Sequence, residues 1–272
     1  MVDCRVLCGD ALTILATLPD ESFDGVITDP PYASGGLTIT QRLQKTSVKY
    51  TGNKTKNPLP DFEGDQMDQW TWMKWSIEWL REAKRVCKKG AVLVCFIDFR
   101  QVGALQHCVM RSGWLLRGLL VWDKTESARP CLGRYSYQPE FMVWCSKGDM
   151  ALSRNISPSV LKSIFRVPLL QAGKVHQTQK PVQLMRELCR VVEIGGTILD
   201  PFCGSGSTLV AAKQLGYNSV GIESCKAIAE TAQNRVDAVN AQTLLTHIPI
   251  QEPGKGGLLA FNSEEVTPND HM

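Results

Sequence analysis

The chain has 272 residues, 43% hydrophobic and 21% charged, with a net charge of +3. That is enough apolar material for one large or two small globular domains; it excludes a disordered polyion, and the charge is too small to argue nucleic-acid binding by itself. Ten cysteines and four histidines are scattered without a Cys-x-x-Cys, and Cys95, Cys145 and Cys189 sit inside apolar runs, which points to reduced buried thiols rather than a disulfide framework or a metal site.

Arg5 to Cys8 reads as a short strand ending at Gly9-Asp10, followed by a helix with Ala11, Leu12, Ile14, Leu15 and Leu18 as its apolar positions. Asp10 suits a helix N-cap or a ligand contact at a strand end equally well. Phe23 to Thr28 is a second strand, so the chain opens as the start of a parallel α/β sheet. It runs into Asp29-Pro30-Pro31-Tyr32. Two prolines fix two φ angles and leave the Pro30 carbonyl beside the Asp29 carboxylate as a rigid acceptor pair, with the Tyr32 ring close by. That arrangement suits a planar base presenting an exocyclic amine, for which the ring of Tyr32, rather than its hydroxyl, supplies stacking.

Residues 33–68 show no apolar periodicity; Arg42, Lys45, Lys49, Lys54 and Lys56 fill the first part and four acids the second. A stretch this long is a mobile phosphate-contacting loop or a solvated linker. Asp68 then caps a helix running to about Cys87, with Trp72, Trp75 and Trp79 on one face as core. Lys88, Lys89 and Gly90 end that helix, and Ala91 to Ile97 is a buried central strand. A helix near 101–111 follows, then strands at Leu115 to Trp122 and Phe141 to Cys145, whose short connection predicts an antiparallel hairpin at the sheet edge.

Residues 149–175 lose this rhythm and carry Arg154, Lys162 and Arg166. After His176-Gln177-Thr178-Gln179-Lys180-Pro181, a helix begins with Leu184, Met185 and Leu188 buried. A strand at 197–199 leads into Asp200-Pro201-Phe202-Cys203-Gly204-Ser205-Gly206, a helix follows, and the next strand ends at Glu223. A glycine turn with an acid about 20 residues further on, within strand-helix-strand, marks a site for an adenosine-containing cofactor. A last helix spans about 226–239, and residues 247–272 read as a flexible tail.

Strands starting near 5, 24, 91, 115, 141, 197 and 219 make seven; the first needs a neighbour, and if it pairs beside the one that ends at Glu223, both ends of the chain build one sheet. The four motifs Gly9-Asp10, Asp29 to Tyr32, His176 to Pro181 and Asp200 to Gly206 resemble, in this order, the amino-directed DNA methyltransferases in which Asp-Pro-Pro-Tyr precedes Phe-x-Gly-x-Gly. The resemblance covers roughly residues 4–240. It implies a Rossmann-like α/β fold with circularly permuted motif order: a mostly parallel seven-stranded sheet with an antiparallel edge hairpin, in a single catalytic domain over 1–246. It implies S-adenosylmethionine as cofactor and no metal. Asp29, Pro30, Pro31 and Tyr32 would hold a flipped base, and Asp10 would lie near the cofactor's adenine. Phe202, Gly204 and Gly206 would frame the cofactor and Glu223 would take its ribose. Thr178, Lys180 and Asp200 would surround its methionine end. Residues 149–175 would be a short target-recognition segment.

The expected activity is methylation of adenine N6 in double-stranded DNA at a short or permissive site, with cytosine N4 methylation or a catalytically silent DNA-binding relative as alternatives. The expected partners are DNA and a second copy in a homodimer, with no membrane: no apolar run nears the roughly 20 residues of a bilayer span. The expected compartment is the cytoplasm of a bacterium or phage-infected cell, in a restriction-modification or phage context. A dinucleotide oxidoreductase fits poorly, because Leu209 stands where the third glycine of that fingerprint belongs.

If the basic half of 33–68 contacts phosphate, replacing Lys45, Lys49, Lys54 and Lys56 together will flatten the salt dependence of DNA binding by about one unit of log–log slope per lost contact. An unchanged slope would remove that role.

Overall fold

The computed structural model describes residues 2–33, 67–128, 132–150, 161–170 and 179–239. The chain order is β1 (Cys4–Cys8), α1 (Ala11–Thr17), β2 (Phe23–Thr28), α2 (Gln69–Val86), β3 (Cys87–Ile97), α3 (Val102–Arg111), β4 (Leu115–Asp123), β5 (Pro139–Ser146), β6 (Ile164–Arg166), α4 (Val182–Cys189), β7 (Thr197–Asp200), α5 (Ser207–Gln214), β8 (Asn218–Glu223) and α6 (Lys226–Asp237). The described strands form one sheet in the order β1-β8-β7-β2-β3-β5-β4-β6.

The alternation of β3 shows why the sheet is covered on both faces. Ala91, Leu93, Cys95 and Ile97 pack with Trp72, Trp79 and Leu105 of α2 and α3. The intervening Val92, Val94 and Phe96 pack with Leu184, Met185 and Leu188 of α4. A strand with period two whose two faces are both apolar must have helices on both sides, and its continuous hydrophobic run follows. Trp72 and Trp79 are fully buried, as core rather than stacking platforms. Asp68 caps α2 by accepting from the amides of Trp70 and Thr71.

β1 pairs in parallel with β8, Cys4 opposite Ser219 through Cys8 opposite Glu223, so the first strand completes the sheet beside the last. Five strands, β1, β8, β7, β2 and β3, run parallel, and their carboxyl ends share one edge. β5 is antiparallel to both β3 and β4, which brings its first residues to that same edge.

Two expectations need correction. The sheet has an eighth strand: Ile164–Arg166 pairs in parallel with Val121–Asp123, so β4 is not the edge. Three residues are too few to show a period, and only the partner strand makes them one. Lys88, Lys89 and Gly90 do not form a helix-ending loop but belong to β3, because the helix stops at Val86 and the chain turns directly into strand pairing. Gly90 there has φ 84°, and the register between β2 and β3 slips between Phe23 and Gly25.

Gly221 in β8 is held glycine by packing: a Cβ would lie 2.8 Å from Cys203 Sγ and 2.9 Å from Leu209 Cδ1. Gly221→Ala will lower unfolding stability by about 1–3 kcal/mol. Gly103→Ala, in α3 with nothing within 4 Å of the new methyl, will raise it by about 0.4–1 kcal/mol. Urea denaturation of both variants checks the contrast, and equal effects would refute it.

Candidate active site

The winding of the sheet reverses between β7 and β2, since β7 leads outward to β8 and β2 leads the other way to β3. Open α/β sheets bind ligands outside the strand carboxyl ends at such a point. Thr28 ends β2 there, and Asp29-Pro30-Pro31-Tyr32 follows. Pro31 and Tyr32 are anchored from outside: Trp72 Nε1 donates to the Pro31 carbonyl at 2.8 Å, and Gln101 Nε2 to the Tyr32 carbonyl at 3.4 Å. Pro30, which follows Asp29, contributes a carbonyl that can only accept.

The Asp29 carboxylate is engaged on both oxygens, by the Tyr32 hydroxyl on Oδ1 and by the Lys180 ammonium on Oδ2. The same ammonium lies 3.2 Å from Glu140 Oε1, and the Tyr32 hydroxyl lies 3.1 Å from that oxygen. Lys124 covers the other Glu140 oxygen at 2.8 Å. Lys180 is buried, with its Nζ 4.9 Å from the Phe96 ring centroid and 5.9 Å from that of Tyr32. Burial pushes the Asp29 carboxyl up, against the pull of Lys180. Burial works the same way on Glu140, but Lys180 and Lys124 together outweigh it and hold that carboxyl at about 2. Burial opposes the charge on Lys180, and the two carboxylates reverse this and raise it. The Tyr32 phenol is raised by burial and by both neighbouring acids.

Two residues singled out in the sequence gain partners here. Lys180, expected with Thr178 and Asp200 around the cofactor's methionine end, is bonded to Asp29 and Glu140. The hydroxyl of Tyr32, a residue whose ring is the part expected to stack on the base, is bonded to Asp29. Glu140 and Lys124 escaped sequence reading, because an acid heading a strand and a lysine ending another carry no motif. Only the antiparallel register, with Glu140 opposite Trp122, brings them to the site.

On the other side of the switch, Asp200 is buried and fully used: Oδ1 accepts from Thr28 Oγ1 at 2.7 Å and from the Phe202 amide at 3.2 Å, Oδ2 from Thr208 Oγ1 at 2.5 Å. It thereby fastens β2, β7, the glycine turn and α5. Gly204 has φ 50° and open space where a side chain would project; Gly206 has φ 82°, and a Cβ there would meet Ala232 at 3.1 Å. Phe202 packs against Trp75 and Trp79 with centroids 5.3 and 5.2 Å away. Glu223 ends β8, accepting from the Cys225 amide at 2.8 Å, and burial raises its carboxyl. Asp10 lies next to it, since the Gly9 amide donates to the Glu223 carbonyl. Its carboxylate caps α1 through the Thr13 amide and hydroxyl, both at 2.8 Å, as one of the two sequence readings held.

Arg42, Lys45, Lys49, Lys54, Lys56, Arg154 and Thr178 lie outside the described residues, as does the stretch 247–272. Lys162 is exposed, and Arg166 is ion-paired with Glu126 at 3.0 Å and Asp123 at 3.7 Å. Exposed Phe99 and Tyr137, stacked 6.3 Å apart, stand at the same sheet edge, and sequence patterning did not single them out.

A family model described as DNA methylase matches residues 23–234. The type II methyltransferase M.HinfI of Haemophilus influenzae is 28% identical over 252 residues, covering 85% of this chain and 67% of that protein. The type II methyltransferase M2.DpnII of Streptococcus pneumoniae is 28% identical over 249 residues, covering 85% and 88%. Among solved structures, an M1.HpyAVI–SAM complex aligns with TM-score 0.62 at 22% identity over 86% of this chain and 98% of that one. The cytosine-N4-specific PvuII DNA methyltransferase aligns with TM-score 0.64 at 15% identity over 87% and 88%. At these identities the structures speak to the fold.

Burial pushes the Asp200 carboxyl up to about 6, despite three donors. A raised folded value means that the buried acid favours the folded state below the ordinary carboxylate range and loses that contribution as pH rises through about 6. Asp200→Asn does not titrate. The stability of wild type relative to this variant will therefore fall between pH 4 and pH 7, by on the order of 2–3 kcal/mol, in urea unfolding across that range. A difference that stays constant with pH would contradict this.

Proposed function

The chain belongs to the DNA methylase family, and we propose that it transfers a methyl group from S-adenosylmethionine to the exocyclic N6 of adenine in DNA, after flipping the base out of the duplex. The observation that carries this reading is the juxtaposition at the switch point: Thr28, the last residue of β2, bonds Asp200 of the glycine-turn side, and Asp29 follows it directly with its carboxylate in the site. One two-residue segment thus joins a cofactor cradle to an amine-holding acceptor pair.

The cradle fits an adenosine. Gly204 leaves open space, the turn precedes the amino end of α5, and Glu223 stands at the next strand end for a ribose. When bound, the cofactor supplies a methyl group already activated on a sulfonium. Asp29 and the Pro30 carbonyl then accept hydrogen bonds from the two amine hydrogens, localise the nitrogen lone pair and stabilise the positive charge that develops there, and the Asp29 carboxylate accepts the one proton that the methylated nitrogen sheds. The Tyr32 ring is the stacking partner of the base, and base–aromatic stacking of about 1–3 kcal/mol offsets part of the cost of extraction.

Adenine is preferred over cytosine on two grounds. Asp in the first motif position, in this motif order, resembles adenine-directed enzymes more than cytosine-directed ones. A larger purine also gains more from the Tyr32 face. The fold does not discriminate, since it is shared with a cytosine-N4-specific enzyme. Residues 149–175 give little surface for reading base edges, at about 1–3 kcal/mol per good bidentate contact, so the target site is short or permissive. Lys162 and the basic residues of 33–68 are the proposed phosphate contacts.

DNA methylated by the protein, digested to nucleosides and analysed by mass spectrometry, will contain N6-methyladenine; N4-methylcytosine alone would give the reaction to the other base. Asp29→Ala will lower transfer by at least 100-fold while equilibrium binding of S-adenosylmethionine stays within about threefold, because the cradle lies across the switch. Substantial activity in that variant would remove Asp29 from the chemistry.

A further inference from the structure

The placement of Lys180 poses a chemical problem. Methyl transfer brings positive charge onto the amine nitrogen, which then sheds a proton, and a buried ammonium bonded to the accepting carboxylate is of the wrong sign for both events. An acceptor already paired with a cation also draws less strongly on an incoming N–H. With Tyr32 on one oxygen and Lys180 on the other, both Asp29 oxygens already have a donor.

Glu140 supplies the remedy. It lies 3.2 Å from the same Nζ, so the ammonium reaches it by a turn about its last side-chain torsions, without leaving its seat over Phe96. An ammonium has three donors and needs to give up only one. We propose that Glu140 is a positioning residue of the transfer reaction, which takes the Lys180 ammonium from Asp29 when the target amine arrives and so frees the Oδ2 oxygen for it. This rests on the function proposed above and adds a residue that neither the motifs nor the family match singles out. Lys124 tunes the exchange, because it competes for Glu140 from 2.8 Å on the far oxygen. The remaining groups that face the pair are the Tyr32 hydroxyl, Asp200 from β7 and the Cys95 thiol from β3.

The test is the pH dependence of the single-turnover rate at saturating S-adenosylmethionine and DNA. Asp29 must be ionised to act, and the neighbouring charge of Glu140 opposes that ionisation. Glu140→Gln will therefore lower the plateau rate by about tenfold or more, since Lys180 then stays on Asp29, and will move the acidic limb to lower pH. Lys124→Met unmasks Glu140 and will move the limb the opposite way, to higher pH. Glu140→Asp, which keeps the charge, will recover much of the rate with the limb close to wild type.

A plateau within twofold of wild type in Glu140→Gln overturns the proposal. So does a lowered plateau with an unmoved limb, which is what a merely structural residue would give. If Glu140→Gln does not fold, the direction of the Lys124→Met shift decides: a limb that stays or moves to lower pH refutes the exchange. Wild-type protein run alongside separates the two readings. No transfer to any base overturns the methyltransferase function, whereas normal transfer with unshifted limbs overturns only the role of Glu140.

Discussion

One buried ammonium organises this edge of the sheet. Lys180 stands between Asp29, at the end of β2, and Glu140, at the start of β5, and it ties together three segments, the outer two of them 151 residues apart in the chain. Two ionised carboxylates packed against each other in a dry site need a cation between them, or one of them takes up a proton. Desolvating these charges costs several kcal/mol per ion, and an arrangement with one partner missing would be far worse than the complete one. The cluster therefore acts as a condition on the fold: β5 must run antiparallel, bringing Glu140 to the carboxyl ends of the parallel strands, and the segment before α4 must pass over that edge.

Asp200 plays the matching part without a cation. Its carboxylate is held by two threonine hydroxyls and an amide, so its burial raises its proton affinity and leaves it a hub of neutral donors. One donor, Thr28, is the residue before Asp29, and another, Thr208, lies in the first turn of α5. The glycine turn and the acidic-proline turn are thus fixed to each other through one side chain. For a transfer reaction this is the property that matters, because the donor and acceptor must be aligned to within a fraction of an ångström.

The aromatic residues divide the same way. Trp72 and Trp79 are core, yet the indole N–H of Trp72 reaches out to the Pro31 carbonyl, so helix packing sets the position of the motif. Phe202 leans on Trp75 and Trp79 from the cofactor side. Tyr32 sits between the two clusters, with its hydroxyl bonded into the charges and its ring packed at the edge of the core. The buried cysteines are inert by the same environment; burial pushes up the thiols of Cys87, Cys95, Cys189 and Cys203.

Sequence alone determined what depends on neighbours along the chain. The apolar run Ala91–Ile97, the Trp72/Trp75/Trp79 stripe and the cap at Asp68 are local patterns, and each element stands where its pattern requires, whereas Asp10 left two readings open until its bond to Thr13 was seen. The Asp29 to Tyr32 and Asp200 to Gly206 turns were legible because prolines and glycines constrain backbone whatever surrounds them. The pairing of β1 with β8 followed from an unpartnered first strand. Other features came only from tertiary structure. Ile164–Arg166 becomes a strand because β4 offers it an edge. Lys180 belongs with Asp29 and not with Asp200 because a buried ammonium goes where two carboxylates face it. Glu140 and Lys124 enter the site through an antiparallel register, and charge compensation across such distances leaves no trace in spacing, since electrostatic partners are selected by space and not by sequence.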